Sequence, residues 1–147
     1  SRNVCESEES GEMGVRARRG PLTVILDSNF LFLPVQFGID IFEAIPDLLC
    51  RRVRFVLPSP VYEEVKRVAR RSKGPEKLAL ELAKKCEVVE VRRAPGEGVD
   101  DLIVRLAVEW KCPVATNDAR LRKRLRAEGV PVIYLRGLGK LELDGVI

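Results

Sequence analysis

The chain has 147 residues, of which 46% are hydrophobic and 33% are charged. These proportions indicate one globular domain that buries a core without disulfide or metal staples. No apolar run approaches the roughly 20 residues needed to cross a bilayer, and the first residues lack the hydrophobic stretch of a signal peptide. We therefore expect a cytoplasmic protein with no membrane partner.

The sequence contains 4 cysteines and no histidine. The lack of histidine excludes the usual general base and every catalytic triad that depends on it. The cysteines form no C-x-x-C pair, which argues against a zinc site made of thiolates. Any catalysis must therefore rest on carboxylates, lysines, cysteines or a metal ion held by oxygen ligands.

Positive charge exceeds negative charge, with 26 Lys and Arg against 22 Asp and Glu. The excess is mostly arginine, whose guanidinium group matches the geometry of phosphate. The basic residues occur in clusters, a pattern typical of nucleic-acid binding and also of solvated helix faces in heat-stable proteins. Nucleic-acid contact is the favoured interpretation.

Residues 1–20 are polar, which predicts a flexible tail, and a single domain is expected over residues 21–147. Apolar runs predict strands at 22–26, 53–57, 87–91, 113–116 and 130–135, with a further edge segment at 140–143. Helices are predicted at 28–34, 39–49, 59–71, 74–85, 99–111 and 119–128, with Pro34 and Pro46 as interruptions. Strands that alternate with helices predict an α/β fold, in which helices cover both faces of a mostly parallel sheet of about five strands.

Four acidic residues lie where predicted strands pass into helices. Asp27 directly follows the first strand, and Asp118 comes two residues after the fourth. Glu64 and Asp100 lie in the first turns of the helices that follow the second and third strands. The carboxyl ends of parallel strands form one edge of a sheet, and ligands bind there in such folds. All four acids are therefore expected at that edge.

Helix phase separates Glu64 and Asp100 from their acidic neighbours. At 3.6 residues per turn, the valines of the helix predicted at 59–71 form its apolar stripe. Glu64 borders this stripe, while Glu63 points away from it. By the same reasoning Asp100 borders the apolar stripe of its helix, and Asp101 faces solvent. Glu64 and Asp100 are thus predicted to be the inward members of the two pairs.

Each acid alone also has a structural explanation. Asp27 and Asp118 are suitable helix N-caps, Asp100 complements a helix dipole, and Glu64 suits a surface ion pair. The four together are harder to explain in that way, because crowded carboxylates repel each other and favour either protonation or the binding of a cation. Oxygen ligands suit a hard ion, so the sequence predicts a Mg²⁺ or Mn²⁺ site.

The order of these acids, with their flanking residues, resembles that of the PIN-domain nucleases over residues 22–143. The matching segments are V-I-L-D-S-N at 24–29, L-P-S-P-V-Y-E-E-V at 57–65, V-D-D-L-I at 99–103 and V-A-T-N-D at 114–118. The resemblance implies a PIN-like three-layer α/β/α sandwich and a ribonuclease that depends on Mg²⁺ or Mn²⁺. It assigns catalysis and metal binding to Asp27, Glu64, Asp100 and Asp118, and it also implies a homodimer.

Residues 117–135 are similar to two branches of this family. One is an archaeal branch related to the eukaryotic PIN proteins that process ribosomal RNA, and the other contains archaeal toxins of the VapC type. The first implies an rRNA substrate, whereas the second implies a toxin that cleaves RNA, such as tRNA, and is held by an antitoxin protein. A third alternative is a non-catalytic module that keeps the fold and binds RNA or the ribosome. The sequence leaves these alternatives open.

Further residues near the four acids are candidates for supporting roles. Thr116 and Asn29 are suited to hydrogen-bond the carboxylates or a bound water, and Asn117 and Ser28 are further candidates. Turn and cap roles explain these side chains equally well. The helix after Asp118 is predicted to bind the RNA backbone through its basic residues, which are Arg120, Arg122, Lys123, Arg124 and Arg126.

Overall fold

A computed structural model describes residues 20–147, so the tail predicted over residues 1–20 lies outside the described residues except for Gly20. The strands are β1 (Leu22–Leu26), β2 (Val53–Pro58), β3 (Glu87–Val89), β4 (Val114–Ala115), β5 (Val132–Arg136) and β6 (Lys140–Asp144). The α-helices are α1 (Leu33–Phe37), α2 (Ile41–Leu49), α3 (Ser59–Arg71), α4 (Leu78–Ala83), α5 (Val99–Trp110) and α6 (Ala119–Ala127), and 3₁₀ turns cover Ser28–Phe32 and Pro75–Lys77. None of the helices in this part of the chain combines the length and the apolar composition needed to span a membrane.

The strands of the described residues form one sheet in the order β3-β2-β1-β4-β5-β6. Neighbouring strands are parallel except for β5 and β6, which are antiparallel. Helices cover both faces, which confirms the predicted three-layer α/β/α sandwich with a mostly parallel sheet. The sheet has six strands rather than about five because the predicted edge segment pairs with β5 along its whole length.

The centre of the sheet is fully buried. Val24, Ile25 and Leu26 of β1 have no exposed surface, and neither do Val114 and Ala115 of β4. A strand that has helices on both faces is apolar at every position, which explains the unbroken apolar runs in the sequence. Because β1 and β4 are neighbours, the residues that follow them leave the core side by side.

The apolar stripes of the helices determine which side chains face the sheet. Val61, Val65 and Ala69 of α3 are fully buried, and so are Leu102 and Ile103 of α5. Burial of a Val, Leu or Ile side chain stabilises the fold by roughly 1.5–3 kcal/mol. Rotation of either helix about its axis would expose several of these side chains, so the core also fixes the direction of the acidic residues near their amino ends.

The two prolines predicted to interrupt helices are accommodated within them. Pro46 lies inside α2, where a proline removes one backbone hydrogen bond. The fully buried Ile41 and Ile45 hold α2 against the core in spite of this loss. Pro34 lies in the first turn of α1, where the missing N–H would have had no partner within the helix.

Asp144, the last residue of β6, ties that strand to α6. Its Oδ2 accepts a hydrogen bond from Arg122 Nε at 3.0 Å, and its Oδ1 accepts one from Arg126 Nε at 3.1 Å. Arg126 also donates to the Val130 carbonyl oxygen at 3.2 Å. The next residue, Gly145, has a φ of +105°, and a Cβ there would lie 2.6 Å from Arg126 Nη1. A side chain at this position would therefore adopt a disfavoured backbone conformation and displace Arg126, so glycine is favoured here.

The substitution Gly145→Ala is expected to lower the free energy of unfolding by about 2 kcal/mol. A positive φ costs an L-residue roughly 1 kcal/mol, and displacement of Arg126 from Asp144 adds to that cost. Gly96→Ala is the control, because Gly96 also has a positive φ (+78°) but no atom within 4 Å of an added Cβ. Urea unfolding measures both variants, and equal losses would contradict the steric role given to Arg126.

Candidate active site

Asp27 is the only charged side chain in the buried core of residues 20–147, with 5% of its surface exposed. Its Oδ1 accepts a hydrogen bond from the Ser28 N–H at 2.9 Å, and its Oδ2 accepts one from the Thr116 hydroxyl at 2.6 Å. Burial raises the pKa of Asp27 from 3.8 to about 6, against the lowering effect of the two hydrogen bonds, and the charges of Asp100 and Glu64 raise it further. The fold thus keeps a carboxylate that is costly to ionise at the carboxyl end of β1.

The hydroxyl group of Thr116 connects two of the acids. Thr116 follows β4 and is fully buried. It donates to Asp27, and its Oγ1 accepts a hydrogen bond from the Asp118 N–H at 3.1 Å. Its own N–H donates to the Ile133 carbonyl oxygen of β5 at 3.0 Å. Thr116 therefore contacts a carboxylate as predicted, and the sheet holds it in that position.

Asp118 is the N-cap of α6, as one of the structural explanations predicts. Its Oδ1 accepts hydrogen bonds from the N–H groups of Arg120 at 2.9 Å and Leu121 at 3.2 Å. These bonds satisfy donors that otherwise have no partner in the first turn of a helix. Capping uses only Oδ1, and Oδ2 receives no hydrogen bond from the described residues. One oxygen of Asp118 is thus left for a ligand.

Glu64 is held at the same edge by Ser28. The Ser28 hydroxyl donates a hydrogen bond to Glu64 Oε1, which joins the turn after β1 to α3. The neighbouring Glu63 points away from this contact and pairs with Lys66 at 2.7 Å, with 59% of its side chain exposed. The two glutamates therefore face in the directions that helix phase predicts.

Asp100 and Asp101 divide in the same manner at the start of α5. Asp100 is partly buried, which raises its pKa, and the charges of Asp118 and Glu64 raise that pKa further. Asp101 is exposed, accepts a backbone hydrogen bond at 3.0 Å and pairs with Arg124 at 2.8 Å. No hydrogen bond from the described residues ends on the Asp100 carboxylate, so both of its oxygens remain available.

The four predicted acids influence one another electrostatically. The charges of Glu64 and Asp100 raise the pKa of Asp27, and those of Glu64 and Asp118 raise the pKa of Asp100. Even so, within residues 20–147 no three Asp, Glu, Cys or His side chains lie close enough together to hold a metal ion. Mutual repulsion favours such separation of like charges. The structure thus brings the four acids to one rim of the sheet, but in this part of the chain no three of them are close enough to bind the same metal ion.

The two asparagines predicted to assist the carboxylates bind the backbone instead. Asn29 Oδ1 accepts a hydrogen bond from the Asn117 N–H at 3.2 Å, and Asn117 Oδ1 accepts one from the Leu135 N–H at 2.8 Å. Asn117 follows the short strand β4, and Leu135 lies in β5 beyond the residues that pair with β4, so β4 supplies neither N–H with an acceptor. The asparagines thus connect segments of the rim, while Thr116 and Ser28 are the candidates whose hydroxyl groups contact the acids.

The basic residues of α6 differ in how firmly the fold engages them. Arg122 and Arg126 share Asp144 and are about two-thirds buried. Arg120 and Lys123 are exposed and form no ion pair within the described residues. RNA binding by this helix stays a prediction, and Arg120 and Lys123 are the side chains best placed to carry it.

The sequence profile of the PIN-like domain family matches residues 24–138. The chain belongs to this family. The match includes all four acids and confirms the resemblance drawn from the sequence. The chain is 29% identical to the rRNA-processing protein FCF1 of Saccharomyces cerevisiae over 126 residues, which are 83% of this chain and 64% of FCF1. It is 30% identical to ribonuclease VapC4 of Methanocaldococcus jannaschii over 128 residues, which are 84% of this chain and 98% of VapC4.

A solved structure supports the same assignment. The PIN domain endonuclease Utp24 superposes with a TM-score of 0.73 and 28% sequence identity, covering 86% of this chain and 94% of that chain. The chain spans less than two thirds of the length of FCF1 but almost the whole of VapC4. The similarity therefore extends over nearly all of the Utp24 PIN domain chain and of VapC4, and over part of FCF1.

One contact in this PIN domain could not be foreseen from the sequence. Ser28 is predicted only as a candidate for hydrogen bonding, and its partner Glu64 lies 36 residues away. The contact depends on how α3 packs beside the turn after β1, which local sequence patterns do not encode. A hydroxyl directly after the strand-ending Asp27 is the one available signal.

The substitution Asp27→Asn is expected to stabilise the protein at pH 8, by roughly 1–3 kcal/mol. The folded state binds the Asp27 proton more tightly than the unfolded chain does, since the pKa is about 6 in the fold and 3.8 without it. The stability that this group contributes is therefore complete below pH 3.8 and is lost as the pH rises through about 6. Asn does not ionise, so its advantage should shrink at pH 5 and vanish near pH 3.5.

Urea unfolding at the three pH values measures this effect. Asp101→Asn is the control, because the hydrogen bond from the Gly98 N–H and the contact with Arg124 lower the pKa of Asp101. That variant should be destabilised at pH 8, which is the opposite sign. A pH-independent effect of Asp27→Asn would show that Asp27 is not a costly charge in the fold.

Proposed function

We propose that this PIN domain is a ribonuclease that depends on Mg²⁺ or Mn²⁺ and uses Asp27, Glu64, Asp100 and Asp118. The observation that carries the proposal is that these four acids, from four separate strand–helix junctions, lie at one rim of the sheet. Hydroxyl contacts link Asp27 to Asp118 and restrain Glu64, and the negative charges raise the pKa values of Asp27 and Asp100. A fold needs no such cluster for its stability, because the partial burial of several like charges is unfavourable. A role in ligand binding accounts for it.

The donor types suit a hard divalent cation. Such an ion would have to draw the acids closer together, since no three of them lie close enough to share one within residues 20–147. All candidate ligands are carboxylate oxygens, which Mg²⁺ and Mn²⁺ prefer over nitrogen or sulfur. Asp100 accepts no hydrogen bond from the described residues, and capping occupies one oxygen of Asp118. A bound ion would lower the pKa of an attacking water and stabilise negative charge on the phosphate. Such chemistry needs no histidine, and the chain has none.

Other residues of the chain hold these carboxylates in place. The Thr116 hydroxyl donates to Asp27 and accepts from the Asp118 N–H, so one buried group sets the positions of both. The Ser28 hydroxyl restrains Glu64. Side chains that are fixed before the substrate binds lose little conformational entropy during the reaction. Thr116 and Ser28 are thus proposed to position acids rather than to react.

The proposed substrate is RNA, and ribosomal RNA is the favoured class. FCF1 is an rRNA-processing protein by name, and Utp24 is described as a PIN domain endonuclease. The match to nearly the full length of ribonuclease VapC4 favours a second candidate, a toxin ribonuclease controlled by an antitoxin protein. Both candidates use the same four acids. They differ in their RNA and partner protein, and the second predicts growth arrest on expression.

Cleavage of a labelled RNA in the presence of Mn²⁺ tests the proposed site with matched neighbours as controls. Glu64→Gln and Asp100→Asn should each lower kcat by about 100-fold or more, as expected when a charge that stabilises the transition state is removed. Glu63→Gln and Asp101→Asn should stay within about 3-fold of the original chain, because these side chains face away from the rim. EDTA should abolish cleavage in every case.

The matched pairs also separate the alternatives. Equal activity of inward and outward variants, with all of them folded, would remove Glu64 and Asp100 from the catalytic set. Binding of RNA without turnover at any divalent metal concentration would instead support the non-catalytic module. Circular dichroism confirms that each variant is folded before its activity is compared.

A further inference from the structure

The rim that carries the acids continues into the hairpin between β5 and β6. Strand β5 runs parallel to β4, so its carboxyl end lies at the same edge as Asp118. The Leu135 N–H donates to Asn117 Oδ1 at 2.8 Å, which ties the end of β5 to the residue before Asp118. The chain then turns back through residues 137–139. These three residues and the paired strand ends Arg136 and Lys140 form the hairpin tip. The hairpin tip is therefore a neighbour of the candidate active site.

The hairpin tip is basic and open to solvent. The side chain of Arg136 is 71% exposed, Leu138 is 83% exposed, and Lys140 is also exposed. A Cβ added at Gly137 or Gly139 would meet no atom within 4 Å. The tip thus stands clear of the rest of the described residues and leaves room for a ligand beside it.

The two charges of the tip are only weakly engaged by the fold. Arg136 pairs with Glu142 at 3.3 Å, but an ion pair exposed to this extent contributes about 0–1 kcal/mol. Lys140 forms no ion pair of its own within residues 20–147. The two arginines that share Asp144 are by contrast partly buried and doubly restrained. A phosphate group can therefore bind Arg136 and Lys140 with little loss of free energy from broken ion pairs.

We propose that Arg136 and Lys140 of the hairpin tip, together with Arg120 and Lys123 of α6, form a track that binds the phosphates of RNA beside the acids. This inference rests on the proposed function, because it takes RNA as the ligand. Carboxylates repel phosphates, so affinity for RNA at this rim must come from cations close by. Phosphate contacts of this kind position the chain of the RNA and carry little sequence information.

Binding of a fluorescent, unstructured RNA oligonucleotide tests the track. Anisotropy is measured in EDTA, so that binding is observed without cleavage. The double variant Arg136→Ala/Lys140→Ala should bind about 10-fold more weakly, and its slope of log affinity against log salt should fall by about 1.4, because each phosphate contact on a single strand contributes roughly 0.7. Arg54→Ala/Lys84→Ala is the matched control, since Arg54 and Lys84 also form exposed ion pairs.

The control lies at the other edge of the sheet, because Arg54 is near the amino end of β2 and Lys84 precedes β3. Its affinity should stay within about 2-fold of the original chain. Equal losses in the two double variants would show that only net charge matters and would overturn the track. Unchanged RNA affinity in the hairpin variant would also overturn it.

The binding result can be told apart from failure of the nuclease proposal. Loss of RNA affinity in the hairpin variant supports the track even if no metal produces cleavage. Normal cleavage together with an unaffected hairpin variant rejects the track and leaves the proposed nuclease intact.

Discussion

The ionisation of Asp27 is the constraint on which the rest of this site depends. A carboxylate with 5% exposure is poorly solvated, and neighbouring negative charges raise the cost of its charged form further. Two hydrogen bonds offset part of that cost. One of them comes from Thr116, which also accepts from the Asp118 N–H and so links the two acids through one oxygen. The Thr116 hydroxyl group therefore keeps Asp27 and Asp118 close together, although the negative charges of the site repel each other.

General rules of α/β folds were sufficient to predict where the acids lie. Parallel strands place Asp27 and Asp118 at one edge, and helix phase distinguishes Glu64 from Glu63 because the core fixes the rotation of α3. These predictions succeed since each depends on a periodicity that is visible in a short stretch of sequence. The strand count differs by one because an edge strand of mixed polarity gives a weak signal.

The remaining details depend on contacts between distant segments. The bond between Ser28 and Glu64 spans 36 residues, and the bond between Asn117 and Leu135 spans 18. No local pattern indicates that Asn117 would satisfy a backbone donor rather than assist a carboxylate. Partner choice among basic residues is equally non-local. Five positive charges in α6 look alike in the sequence, yet only Arg122 and Arg126 pair with Asp144, which lies 22 and 18 residues later.

Carboxyl ¹³C NMR with and without Mg²⁺ measures the pKa of Asp27 and tests directly whether the crowded acids bind a cation. In EDTA we expect a pKa of about 6. Saturating Mg²⁺ should lower that pKa well below its value in EDTA, because a nearby cation favours the charged form. A pKa that Mg²⁺ leaves unchanged would show that the crowded carboxylates do not bind the ion, and the proposed metal site would be wrong.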